Sequence, residues 1–333
     1  MKAALRRNHR IQILYLLFCI FLFSLAGCAG LQPEQAPISP VGYYLPVVED
    51  SDFFRFAPIF LVEENNFPVN RIGIPSARIT PSGDTKVFVD PRRPALYVQK
   101  VFFKTDNAAY TNYIYRIHFE KVPFSHLTGG YNVGLITIVT VNAQKQPVLI
   151  TSVHTCGCYL NFIPTSYLPQ KAFPEAWDIS KQRVYGETLP GLLALSESAL
   201  NRQEQYYLAL RKGTHRVMGA GVIGPDPAES NREIFRVPMF PIELLQALPL
   251  GETTTGFYDT QGFRKGYVKG SFKPYERLLM SWWAMDWHIG EDKDYGPAET
   301  TGTVFYTSLK FWAREESDMW NFPEFLKYWG WNL

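Results

Sequence analysis

Cysteine is scarce in this chain, with four residues in 333, namely Cys19, Cys28, Cys156 and Cys158. None of the spacings that mark a thioredoxin-type pair, a covalent haem attachment or paired zinc knuckles is present. An excess of charge of one sign is missing as well. Lysine and arginine number 33 against 31 aspartates and glutamates, and four of the basic residues, Lys2, Arg6, Arg7 and Arg10, precede the first acid. The rest of the chain therefore carries 29 basic against 31 acidic residues, a balance of −2. This argues against a polybasic surface and against nucleic acid as a partner. The apolar run of residues 11–25 falls short of the roughly 20 residues that span a bilayer. There is no internal repeat, Walker loop, serine nucleophile elbow, zinc-protease helix or calcium-loop pattern. The run from Gly219 to Gly224 does match GxGxxG, but Pro225 and Pro227 follow where a dinucleotide-binding unit needs its helix to start. Those glycines are read as part of a hairpin instead.

What is present begins with the N-terminus. A basic segment precedes the apolar run, and Leu25-Ala26-Gly27-Cys28 closes it. This box, placed directly after the apolar run, resembles the signal of bacterial lipoproteins. The resemblance covers about the first 28 residues. It implies cleavage before Cys28 and attachment of acyl chains such as palmitate there, with membrane lipid as the partner of the N-terminus. Two or more chains hold a protein to the bilayer firmly, at about 0.8 kcal/mol per buried methylene. Ala29, rather than an aspartate, follows Cys28. That resembles sorting to the outer membrane, with the domain on its periplasmic face.

Residues 28–46 contain Pro33, Pro37, Pro40 and Pro46 with little periodicity and are expected to form a tether. Residues 47–333 are expected to fold, as one unit or as two subdomains with a boundary near 165–205. With 46% apolar and 15% aromatic residues the chain can bury a substantial core. Short β-branched and aromatic runs at 97–104, 113–122, 135–141 and 148–154, separated by turn residues, predict antiparallel strands, with 142–147 as a hairpin connection. Residues 206–210 and 215–222 predict a second hairpin. Helices are expected where Leu192, Leu193, Ser196, Ala199 and Leu200 repeat, at 242–248 and, interrupted by Pro323, at 317–329, while 275–285 fits either a helix or a buried strand. The fold class is α+β, a sheet-dominated, sandwich-like, antiparallel architecture with a few helices, one of them C-terminal.

Chemistry concentrates at His154-Thr155-Cys156-Gly157-Cys158. Were the strand to continue, alternation would put His154, Cys156 and Cys158 on one face. An imidazole and two thiols form a partial metal site, for which zinc and copper are the candidate ions. His126 and His288 could complete it; His118, beside Arg116 and Glu120, reads as a surface residue. A thiol-redox role is the first alternative, because an oxidising compartment favours pairing, although an extended Cys-Gly-Cys spans about 6.5–7 Å between α-carbons and must bend to close. Inert packing of both thiols is the second, and would leave a structural or assembly lipoprotein. The sequence leaves these open and names no catalytic residue. Trp282, Trp283 and Trp287 lie near Glu291, Asp292 and Asp294, which could line a sugar cleft. The reading preferred here is core tryptophans followed by a solvated acidic loop. The aromatic C-terminal residues are expected to dock on the sheet.

Overall fold

The first described strand, β1 (Val41–Pro46), leads to a short helix, α1 (Asp52–Phe56), and back along β2 (Ile59–Glu63). The computed structural model describes residues 40–47, 51–196, 205–224 and 233–333, all within one unit running from Ile38 to Leu333. The signal and lipidation segment lies outside the described residues. A hairpin follows, β3 (Ile74–Ile79) and β4 (Thr85–Asp90). Five consecutive antiparallel strands then form a meander: β5 (Leu96–Lys104), β6 (Ala109–Val122), β7 (Gly130–Val141), β8 (Pro147–His154) and β9 (Asn161–Pro164). Pro147 opens β8, where its missing N–H costs least. A small ribbon, β10 (Gln182–Val184) and β11 (Glu187–Leu189), precedes the hairpin β12 (Gln205–Leu210) and β13 (Val217–Ile223). β14 (Glu233–Val237) and β15 (Met239–Pro241) each add a parallel edge strand to one of the two large sheets. Three helices follow in the C-terminal part: α2 (Pro274–Ala284), α3 (Ala298–Thr301) and α4 (Phe322–Tyr328).

The strands assemble into a five-stranded sheet of order β13-β12-β2-β1-β14 and a six-stranded sheet of order β15-β5-β6-β7-β8-β9. Tyr44, Phe60, Val62, Leu208 and Leu210 of the first share a core with Tyr115, Ile117, Phe119, Val133 and Leu135 of the second. On its opposite face the six-stranded sheet turns Ile136, Ile138, Leu149 and Val153 toward Phe305, Met319, Phe322, Phe325 and Trp331. The central sheet is thus covered on both sides, so every residue of β8 is buried. The α+β, sheet-dominated, mostly antiparallel class read from the sequence is what the chain adopts, including the C-terminal helix.

Three local expectations are corrected. The tether was placed through Pro46, yet residues 41–46 form β1, paired with both β2 and β14. Pro40 and Pro46 bracket this strand instead of interrupting it, and Tyr44 and Leu45 between them are buried. The helix expected around Leu192 and Leu193 is absent from its described part. Glu187, Leu189, Gly191, Leu193 and Leu195 are buried in strict alternation, and Leu193 bridges Thr165, so the operative period is 2 and not 3.6. Ala199 and Leu200 lie outside the described residues. Finally, Leu189, Leu193 and Leu195 belong to the core shared by the two large sheets, so the described part of the 165–205 region contributes to that core and does not divide it.

Candidate metal centre

β8 delivers His154 opposite Leu135 of β7 and then stops. The chain reverses in a tight turn in which Gly157 N donates to His154 O at 2.8 Å and His154 N donates to Cys158 O at 2.9 Å. Thr155 N remains tied to Gly134 O at 2.9 Å. Gly157 sits at φ +91°, and a Cβ there would collide with the carbonyl oxygen of Tyr306. Only glycine suits that position. The result gathers a ring nitrogen of His154 and the sulfurs of Cys156 and Cys158 within 4.8 Å of one another. The three residues come together as expected, but through a turn; an extended strand would have splayed them along its face. Both cysteines are free thiols, Cys156 buried and Cys158 half-buried.

The imidazole is prepared to act as a ligand. Its ring is bonded by the backbone of His215, and Nε2 is buried without a hydrogen-bond partner. Burial, helped by the charge of Lys273, holds the His154 pKa well below its ordinary value, so the ring is neutral and Nε2 keeps a free lone pair. Burial pushes the Cys156 thiol up, but the hydrogen bond with Cys158 and the Lys273 ammonium outweigh it and bring the thiol below its usual range. Cys158 moves the other way, well above that range, because its bond to Cys156 and its burial both oppose ionisation. The pair therefore yields one thiolate easily and a second only with help from a bound cation.

A buried charged shell surrounds the cluster. Lys273 lies 3.4 Å from Asp292 and 3.9 Å from Glu276, and all three are almost fully buried. Asp292 also accepts from Thr155 Oγ1 and from Gly134 N at 3.3 Å, while its own N–H donates to Ser271 Oγ at 2.6 Å. Burial opposes the charge on Lys273, yet Asp292, Cys156 and Glu276 together raise its pKa well above the ordinary value. Burial, joined by the nearby charge of Asp292, outweighs Lys273 and Lys293 and shifts Glu276 upward. Lys293 Nζ donates to Cys156 O at 3.3 Å and stands 4.1 Å from the centroid of Tyr306.

Lys273, Glu276, Asp292 and Lys293 were not assigned to this site by sequence reasoning. They lie more than a hundred residues from Cys156, and the one signal was the charged run from Glu291 to Asp294. That run was expected to be solvated. It is corrected here, since Glu291, Asp292 and Lys293 are buried, Glu291 engaging Arg264 and Asp292 engaging the turn. The tryptophans expected in the core are corrected in the opposite sense: Trp282, Trp283 and Trp287 are exposed. Aromatic rings facing solvent and carboxylates facing the interior do not make a shared sugar cleft.

His118 is also corrected, because it is buried in β6, where Nε2 accepts from Arg116 Nε at 2.9 Å. Both flanking faces of its sheet are covered, so the polar side expected for Arg116 and His118 does not reach solvent. Neither His118, His126 nor His288 joins the cluster among the described residues. His288 instead faces Glu291 at 3.3 Å. The glycines of the GxGxxG match lie on or beside β13, where Gly221 leaves room for the ring of Tyr207 across the hairpin.

Beyond Cys158, Tyr159 packs edge-on against His154 at 4.8 Å and against Tyr185 at 5.2 Å. Tyr185 belongs to a cleft of about 270 Å³ that also includes Asn161, Phe162, Trp177 and Trp329. Comparison with family models, with curated proteins and with solved structures finds no match to this chain.

Proposed function

We propose that this protein is a lipid-anchored lipoprotein of the bacterial envelope, facing the periplasm from the outer membrane, and that its domain binds a soft metal ion through His154, Cys156 and Cys158. The observation that carries the metal reading is the convergence of three ligand atoms within 4.8 Å, together with a buried His154 Nε2 that has no other partner. An unpaired buried nitrogen costs free energy, on the order of 1–3 kcal/mol, which a metal bond relieves. Thiolates select copper(I) or zinc over harder ions. Because the described cluster offers three protein ligands, copper(I) fits it directly, whereas zinc needs a fourth ligand such as water. The backbone contact from His215 orients the imidazole, as hydrogen bonds to a ligand's far ring nitrogen do at metal centres. Lys273 offsets the negative charge that two thiolates bring into the interior.

The test is native mass spectrometry with elemental analysis on the mature chain purified anaerobically from detergent-extracted membranes, beside Cys156→Ser/Cys158→Ser. One bound copper or zinc, absent from the double variant, is the expected result. Two free thiols and no metal after incubation with copper(I) and zinc would remove the reading. A mass lower by two hydrogens would point to the redox alternative, which the unequal ionisation of the two thiols favours. Acylation is read from the same spectra of the detergent-extracted protein, as a mass increment on the peptide that begins at Cys28.

A further inference from the structure

Helix α2 is amphipathic with its apolar side turned outward. Tyr275, Leu278, Leu279 and Trp282 follow the i, i+3, i+4, i+7 spacing of one helical face, and all are exposed, Leu278 by 74% and Trp282 by 67%. Its buried residues are Glu276 and Ala284, and Glu276 is the helix's single acid. This orientation goes with a buried ion pair: α2 begins beside Lys273 and turns Glu276 inward toward that lysine, which leaves the apolar stripe outside. Trp283 in the last turn is also exposed, and Met285 and Trp287 extend the exposed surface past the helix end. Arg277 stacks over Trp287 at 4.2 Å, placing a guanidinium among the rings. Arg314 donates to Ala284 O and so brings the exposed Phe311 and Trp312 segment next to the end of the helix.

We propose that this face lies in the interfacial layer of the membrane to which the protein is anchored. The proposal rests on the lipid-anchor reading given above. Twelve residues lie between Cys28 and Val41, a reach of at most about 45 Å. A domain of this size has a radius of gyration of about 19 Å, so the anchor confines it to within about one diameter of the bilayer. Surface chemistry then decides which side faces the lipid. Tryptophan, tyrosine and arginine beside leucine are the side chains that partition into the headgroup boundary. No helix among the described residues is long and apolar enough to cross a membrane, so α2 lies along the surface.

The experiment uses the mature chain exported with Cys28→Ser behind an ordinary cleavable signal, so that no acyl chain is present. It is floated with vesicles of phosphatidylethanolamine and phosphatidylglycerol, beside the same chain carrying Leu278→Glu and Trp282→Glu. The unacylated chain is expected to float with the vesicles, and the double substitution to lower the bound fraction about tenfold or more without shifting the melting temperature. A chain that stays with the soluble fraction at every lipid concentration overturns the proposal, even if the native protein proves acylated. A dimer in vesicle-free buffer that the two glutamates dissolve also overturns it, by assigning the face to a second copy. An unacylated native protein whose Cys28→Ser form still floats would overturn the anchor and leave the membrane face standing.

Discussion

At the scale of single residues, the hydrogen bond between Cys156 and Cys158 and the charge of Lys273 together set how the thiols behave. The Lys273 ammonium is buried between Asp292 and Glu276 and lowers the pKa of Cys156 against the opposing effect of burial. Lys273→Met removes that charge and leaves Asp292 buried without its cation, a change that costs about 3–5 kcal/mol when a buried pair is broken. In the metal-free protein the alkylation rate of Cys156 should then shift to higher pH, while Lys273→Arg should preserve the wild-type profile. An unchanged profile in the methionine variant would show that Lys273 does not act on the thiol. Buried histidines give a second expectation. Burial drives His118 well below its ordinary pKa and His215 down to about 3. Their folded-state values lie below the unfolded value of about 6.5, so the unfolded chain binds more protons and stability is present above that pH and lost as pH falls. Each fully shifted histidine contributes a slope of about 1.4 kcal/mol per pH unit below the unfolded value. Urea midpoints of the metal-free protein should therefore drop steadily from pH 6.5 to pH 4.5; a flat profile would mean these rings become charged inside the fold.

At the scale of elements, four strands of the meander were legible and the turn after β8 was not. Residues 97–154 carry β-branched runs whose C-terminal ends match those of β5 to β8, while β6 and β7 begin earlier than those runs, at Ala109 and Gly130. The cluster His154, Cys156 and Cys158 was legible as a set, but its geometry depends on Gly157 at φ +91° and on the nearby carbonyl of Tyr306, a contact between residues 149 positions apart. Helix α2 was legible as one of two readings of its segment and misread as a core element, because periodicity gives the apolar stripe without saying which way it faces. Its direction is set by Lys273 and Glu276 reaching the thiol site, which no local pattern announces. The turn supplies a direct check. Gly157→Ala places an L side chain in left-handed backbone at a cost of about 1–2 kcal/mol, and its Cβ must displace the Tyr306 carbonyl. The variant should melt earlier and bind metal at least about tenfold more weakly, whereas unchanged affinity would show that the ligands can gather without this turn.

At the scale of the whole molecule, the six-stranded sheet is the frame on which both the His154, Cys156 and Cys158 cluster and the C-terminal layer depend. One face is closed by the five-stranded sheet and the other by segments that arrive last in the chain. The aromatic C-terminus was readable as a docked element because so many large rings could not all stay wet, and Phe322, Phe325, Leu326 and Trp331 are indeed buried against Ile136, Ile138 and Leu149. Phe311 and Trp312 depart from that pattern because their segment sits beside the exposed end of α2. Fully burying one such side chain is worth about 1.5–3 kcal/mol, and a domain's net stability is about 5–15 kcal/mol. Removing residues 322–333 thus takes away a sum comparable to the entire stability, and the truncated chain should not fold cooperatively. A milder change keeps the idea measurable. Phe325→Ala leaves a cavity between α4 and the sheet and should cost about 3–5 kcal/mol, read as a lower denaturant midpoint with an unchanged slope. His154, Cys156 and Cys158 project from the end of β8, whose Leu149 and Val153 form part of the surface that α4 covers. Loosening the C-terminal layer should therefore also raise the hydrogen-exchange rate of the Thr155 amide, which is bonded to Gly134 O. If Phe325→Ala destabilises the protein while leaving that exchange untouched, the C-terminal layer and the cluster open as separate units, and the frame is less continuous than its shared sheet implies.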